Sequence, residues 1–168
     1  MAANCTRDVV FVMDGSSSVG PENFEQMKSF VSELVGKLDI DSGNTRVGVV
    51  TYSNVVEEDI ELGEYSTTAS LQSAIASHSY IGRGTLTHVA LEHVRTKILT
   101  MAGDRSEVPN IVVVLTNGES NRPHETKVRA LCCIVRVLYL LFIAEDIATK
   151  FHRLLQMNWA VPVQLYVM

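Results

Sequence analysis

Three runs of apolar residues constrain the fold more than any other feature of this chain. Val9–Met13 reads VVFVM, and the strands expected over Arg46–Ser53 (RVGVVTYS) and Asn110–Leu115 (NIVVVL) contain the runs VGVV and IVVVL, with no polar residue in any of the three runs. A strand with one wet face alternates apolar and polar positions, so unbroken runs of this length mark strands buried on both faces. Helical patterns separate them. Gly20-Pro21-Glu22 opens the first, with the proline near its first position and acids in the first turn. Phe24, Met27, Phe30, Val31, Leu34, Val35 and Leu38 then recur at three- and four-residue spacing as one core-facing stripe. Ser66–His78 and Thr87–Leu99 read as further helices, with Leu71 and Ile75 inward in one and Val89, Ala90, Val94 and Ile98 inward in the other. The fold class expected is α/β: a doubly wound, mostly parallel central sheet with helices on both faces. Val55–Leu62 is more polar and follows the second run so closely that it is expected as an antiparallel edge strand.

The chain of 168 residues is long enough for one domain with its own core, so residues 1–168 are read as a single domain. Its net charge of −5 argues against nucleic acid or an acidic membrane as the main partner. The first residues have neither the basic start nor the apolar stretch of a secretory signal, which implies an intracellular protein or a piece of a longer one. Cys5, Cys132 and Cys133 form no even-numbered disulfide framework, and the adjacent pair reads as buried, inert thiols. Asn4-Cys5-Thr6 is a glycosylation sequon with meaning only in a secreted chain.

The first apolar run ends at Asp14, and two hydroxyls follow at alternate positions: Asp14-x-Ser16-x-Ser18. In open α/β sheets ligands bind beyond the carboxyl ends of the strands. The loop Gly82-Arg83-Gly84-Thr85 and the segment Thr116-Asn117-Gly118, just past the IVVVL run, belong to the same edge. Hard oxygen ligands with little formal charge suit Mg²⁺, which takes octahedral oxygens and keeps several waters. Each segment also has a plainer reading. Asp and Ser cap helices, Thr85 is placed to cap the helix near Thr87, and Asn-Gly makes turns. The five histidines show no zinc-ligand spacing, and Glu57-Glu58-Asp59 reads as a solvated strand face.

Together these motifs give residues 5–126 a resemblance to the von Willebrand factor type A domain, with Asp14-Gly-Ser16-Ser-Ser18, Gly82-Arg-Gly-Thr85-Leu-Thr87 and Val112–Ser120 carrying it. The resemblance implies a metal-ion-dependent adhesion site. Ser16 and Ser18 would bind Mg²⁺ or Mn²⁺ directly, and Thr85 directly when ligand is present. Asp14 would act through water and the serines, and a partner's Glu or Asp would complete the octahedron. The family's third-loop residue is normally aspartate, where this chain has Asn117. An amide oxygen accepts hydrogen bonds but adds no charge. Metal affinity should therefore fall while a bound ion becomes more electrophilic, unless Asn117-Gly118 deamidates and restores a carboxylate.

The resemblance also implies a strand of the type GVxIYVVGVG after Thr126. Ala160–Val167 looks like that strand arriving late, leaving 128–156 as an atypical insertion and the C-terminal elements incomplete. Leu131–Ala144 is almost wholly apolar but too short for a confident membrane span, and is read as a buried helix or strand. Asp146–Met157 reads as a helix.

The function expected is a protein-binding adhesion or matrix module, extracellular as part of a larger protein, with a collagen-like or other matrix partner. It is not expected to be an enzyme, because no catalytic triad, phosphate loop or paired carboxylates fall at the strand ends. Two other classes remain open. One is an intracellular subunit of an ATP-driven assembly, and the other is a magnesium-dependent phosphohydrolase, which would need more carboxylates around its ion.

Overall fold

In the computed structural model of this chain the described residues are 6–100, 103–117, 120–133 and 137–142. Five strands, β1 (Arg7–Asp14), β2 (Thr45–Tyr52), β3 (Val56–Ile60), β4 (Asn110–Thr116) and β5 (Val137–Phe142), form one sheet in the order β3-β2-β1-β4-β5. The contacts of β1 with β2, β1 with β4 and β4 with β5 are parallel, and β3 lies antiparallel on β2 as expected. The helices are α1 (Pro21–Val35), α2 (Thr68–Ser77), α3 (Thr87–Thr96) and α4 (Pro123–Cys133), with a 3₁₀ turn at Ile98–Thr100.

The period of two along the buried strands builds two cores. Val9, Phe11 and Met13 of β1 pack with Val113 and Leu115 of β4 against Phe24, Met27, Phe30 and Val31 of α1 and Leu71 and Ile75 of α2. Val10 and Val12 face the other way, with Val50, Tyr52, Val112 and Val114, against Ala90, Leu91 and Val94 of α3 and Ile98. Successive side chains on a strand point to opposite faces, so β1 needs apolar residues throughout and has them. Truncating a residue such as Phe24 to alanine costs about 3–5 kcal/mol at positions of this kind.

Some expectations shift in detail. On α3 the inward stripe is Thr87, Ala90, Leu91 and Val94, so Leu91 takes the place expected for Val89. Position 89 lies between the turns of the i, i+3/i+4, i+7 stripe that starts at Thr87. The strand beside β4 is Val137–Phe142, in register from Ile111↔Val137 to Thr116↔Phe142, where the sequence pattern sought it at 160–167. The apolar stretch from Leu131 thus divides between the end of α4 and β5. A family-like glycine pattern is not required there, because a parallel strand beside β4 needs only a short apolar run. The residues of 160–168, the helix expected over 146–157, Cys5 and the sequon lie outside the described residues.

Candidate metal centre

The site grows from the end of β1. Asp14 is the strand's last residue and is fully buried. Its Oδ1 accepts the Ser16 backbone N–H at 2.9 Å, and its Oδ2 accepts the Thr116 hydroxyl at 2.6 Å. The first bond folds Gly15–Ser16 back over the carboxylate, as a short Asp side chain does in an Asx turn. The second ties the end of β1 to the end of β4. Both donors are neutral, so the buried carboxylate is hydrogen-bonded without being neutralised.

Ser16 is buried and Ser18 exposed, and their hydroxyl oxygens stand 3.0 Å apart. Ser18 donates to Asn117 Oδ1 at 3.3 Å, while Asn117 Nδ2 donates to the Ser18 backbone carbonyl at 2.6 Å. The amide is therefore gripped at both ends by one residue, and its oxygen is turned toward the hydroxyls. Adjacent oxygens of a regular octahedron around Mg²⁺ are about 2.9 Å apart, given its usual metal–oxygen distances. At 3.0 Å the Ser16 and Ser18 hydroxyls share a hydrogen bond, a separation that an octahedral edge also accommodates, and the donor set of hydroxyls, amide oxygen and a nearby carboxylate is the hard-oxygen type.

Thr85 reaches this edge through its loop. Ser17 N–H donates to Arg83 C=O at 2.7 Å, Ser16 bridges Arg83, and Gly82 N–H donates to Gly15 C=O at 2.8 Å. Thr85 is buried, its N–H donates to Asn121 Oδ1 at 2.7 Å, and its carbonyl accepts from Asn121 N–H at 2.8 Å and from Ser120 Oγ at 3.2 Å. Ser53 Oγ donates to Gly84 C=O at 2.7 Å. One glycine is required here: Gly82 has φ +74°, a left-handed conformation, whereas a Cβ on Gly84 would displace the Asn54 side-chain oxygen. The structure thus joins Asp14, Ser16, Ser18 and Asn117 in one hydrogen-bonded cluster and binds the Thr85 loop to it by backbone bonds.

Four supporting residues were not singled out as site residues from the sequence. Thr116 anchors Asp14, Asn121 anchors Thr85, and Ser53 anchors Gly84. Tyr52, the last residue of β2, is fully buried and its hydroxyl pairs with Thr87 Oγ1 at 3.0 Å. Burial pushes its phenol well above the ordinary tyrosine range, and the Asp14 charge pushes it further. Tyr52 is therefore a fixed neutral group beneath the site. A tyrosine and a serine closing a strand that ends at a candidate site are the available sequence signal. Among the described residues, no three His, Cys, Asp or Glu side chains are grouped to hold a metal, so any ion here depends on hydroxyl and amide oxygens.

The model of the von Willebrand factor type A domain matches residues 8–149. The mouse collagen alpha-5(VI) chain is 40% identical over 113 residues, covering 67% of this chain and 4% of that one. Human matrilin-1 is 38% identical over 114 residues, covering 67% of this chain and 23% of that one. The chain therefore spans less than a quarter of the length of these relatives. Among solved structures, proximal thread matrix protein 1 from the mussel byssus, described with a zinc-occupied MIDAS motif, is similar at 28% identity and a TM-score of 0.67. That likeness covers 81% of this chain and 36% of the other.

Proposed function

The chain belongs to the von Willebrand factor type A domain family, and from that premise we propose that it is a protein-binding adhesion and matrix module built around a metal-ion-dependent site. In this reading Ser16, Ser18 and, with ligand present, Thr85 offer oxygens to Mg²⁺ or Mn²⁺, while Asp14 and Asn117 orient them. The ion, when bound, supplies an electrophilic point for a Glu or Asp carboxylate of the partner. One observation carries the reading: the buried Asp14 carboxylate meets neutral donors beside the hydrogen-bonded hydroxyls of Ser16 and Ser18. Taking a carboxylate out of water without a counter-charge is costly, and a cation at its side offsets that cost.

The chain's residues divide the work. Asp14 holds Ser16 in place through the backbone, Asn117 holds Ser18, and Asn121 and Ser53 fix the loop that carries Thr85. Ser18 is exposed, so the approach for a partner is from its side. The similarity to matrilin-1 and a collagen VI chain supports an extracellular, matrix-associated setting over an intracellular assembly subunit. A collagen-like or other matrix protein is the proposed partner class. The phosphohydrolase reading is disfavoured, because it needs more carboxylates around its ion, and among the described residues no three His, Cys, Asp or Glu side chains are grouped to hold one.

Titration calorimetry with Mn²⁺ on the chain and on Ser18→Ala tests the proposal. One saturable site, lost in the variant while its circular dichroism is unchanged, is the expected result. Equal heats from both proteins would overturn it.

A further inference from the structure

We infer that the cleft at the far pole of the domain, opposite the Asp14 cluster, is a second binding surface that takes an arginine- or lysine-bearing segment of a protein partner. The cleft has a volume of about 710 Å³ and lies among the α1–β2 loop, the turn after β3 and Gly103. Ligand sites usually measure roughly 300–1,000 Å³. Its place follows from the topology. The cleft opens at Thr45 and Arg46, where β2 begins, whereas Asp14 pairs with Tyr52, where β2 ends. Steps of about 3.3 Å along β2 put the two about 23 Å apart, so the cleft is no part of the metal-site reading.

The lining selects for a cation. Asp41, Glu61 and Glu64 stand at the rim, all exposed. Asp41 accepts from the N–H and hydroxyl of Thr68, and Glu64 Oε2 accepts the Glu61 N–H at 2.9 Å. These donors are neutral, and among the described residues none of the three carboxylates has a basic partner. The acids of the adjoining β3 are treated differently: Glu57 faces Arg83, Glu58 faces His78 and Asp59 faces His93. Arg46 is the one cation in the lining. Its side chain crosses Gly63, where a Cβ would stand 3.2 Å from its Cδ, and its Nη1 donates to the Gly103 carbonyl at 2.6 Å. Arg46 thus braces a wall, and three negative charges against its one leave the cleft net negative. Charges of one sign around a concavity focus the field and concentrate the opposite ion there. The floor supplies the rest of the recognition. Ile40 and Leu62 are buried beneath it, and the half-buried Tyr65 packs on the α1–α2 core while lining the cleft. Arginine and lysine carry a long apolar stem below a charged head, and the head is also drawn to an aromatic ring. Apolar floor, ring and acid rim match that amphipathic shape.

Fluorescence anisotropy on the whole chain, in chelator so that no bound ion contributes, tests this. The probe is a labelled peptide with two arginines in a glycine–serine background. Its reference carries citrulline instead, which keeps the shape and loses the charge. The arginine peptide should bind several-fold more tightly than the citrulline one, and added salt should weaken it. Glu61→Gln and Glu64→Gln together should weaken it by about two- to five-fold for each carboxylate removed, the range of exposed charge pairs. Glu22→Gln with Glu33→Gln, an equal change of net charge placed on α1, should leave the affinity unchanged. Tyr65→Phe should keep the affinity and Tyr65→Leu lose it several-fold. Backbone amide shifts on peptide addition should fall at 41–43 and 61–66. Equal binding of the two peptides, equal affinity of the parent and the Glu61/Glu64 variant, or an equal loss in the α1 variant overturns the proposal. Ser18→Ala should bind the peptide as the parent does. Any of these failures in chelator leaves the metal-site reading standing, since that reading is tested by Mn²⁺ binding alone.

Discussion

Strand β1 carries a buried aspartate near each end, and the two are treated in opposite ways. Asp8 is fully buried and faces Arg105, whose Nε lies 3.0 Å and Nη2 2.5 Å from Oδ1, while the Arg105 backbone N–H donates to Oδ2 at 3.1 Å. The same guanidinium donates to the carbonyls of Arg7, Gly43 and Asn44. Charge and hydrogen bonds are both satisfied within the chain. Asp14, six positions on, receives hydrogen bonds from Ser16 and Thr116, both neutral. One end of the strand is closed electrostatically, and the carboxylate at the other is met by neutral donors. The same residue type on the same strand serves stability at one end and, in our reading, binding at the other.

The largest expected effect comes from breaking the closed end. Arg105→Ala leaves Asp8 buried with its charge uncompensated, and breaking a buried pair from one side typically costs about 3–5 kcal/mol. The urea midpoint of the variant should fall accordingly, with an unchanged slope. Asp14→Asn, measured in chelator, should cost distinctly less, because it removes a charge that the chain does not itself neutralise. If the two variants lose equal stability, the two ends do not differ in the way described.

How much of this contrast is legible in the sequence follows from how local each feature is. The strand runs and the stripe on α1 are local patterns, and the α/β class with its mostly parallel sheet follows from them. The Asp14–Ser18 motif is local too, while the loops at Thr85 and Asn117 are picked out by the family resemblance, since each alone reads as a cap or a turn. The Asp8–Arg105 clasp spans 97 positions and carries no periodic or spacing signal. Tyr52 reads as one more apolar position closing a buried strand, and only the packing of α3 against that face puts Thr87 at its hydroxyl. The place beside β4 is likewise a choice between two apolar segments, 137–142 and 160–167, and composition alone does not rank them.

A smaller effect sharpens the open end. Tyr52→Phe removes the hydroxyl that pairs with Thr87 beneath the site and leaves the ring in place. An unmade buried hydrogen bond of this kind costs about 1–3 kcal/mol. If Tyr52 positions the site, Mn²⁺ affinity should also fall, by several-fold, while Thr87→Ala should reproduce the affinity loss. A variant that loses stability but binds Mn²⁺ as the parent does would confine Tyr52 to packing.

The smallest effect separates the open end from the helices behind it. His78 caps α2 and is buried, with Nδ1 2.6 Å from Thr51 Oγ1 and 3.6 Å from Glu58. Lys28 donates to its carbonyl at 2.9 Å. Burial lowers the His78 pKa below the ordinary histidine value, and the Lys28 charge lowers it further. Glu58 and Asp59 pull it the other way. A base whose folded pKa is depressed binds more protons when unfolded. Its contribution to stability is therefore full above about pH 6.5 and is lost as pH falls toward the folded value. One such group changes stability by at most about 1.4 kcal/mol per pH unit. Urea midpoints taken from pH 7.5 to 5.5 should fall for the parent, and fall less for His78→Asn. Thr51 immediately precedes Tyr52 on β2, so the same pH series run as Mn²⁺ titrations asks whether the loss stays in the scaffold. Affinity that holds while the midpoint drops places His78 with the closed, purely structural half of the molecule. Affinity that drops in step with it would join α2 to the site.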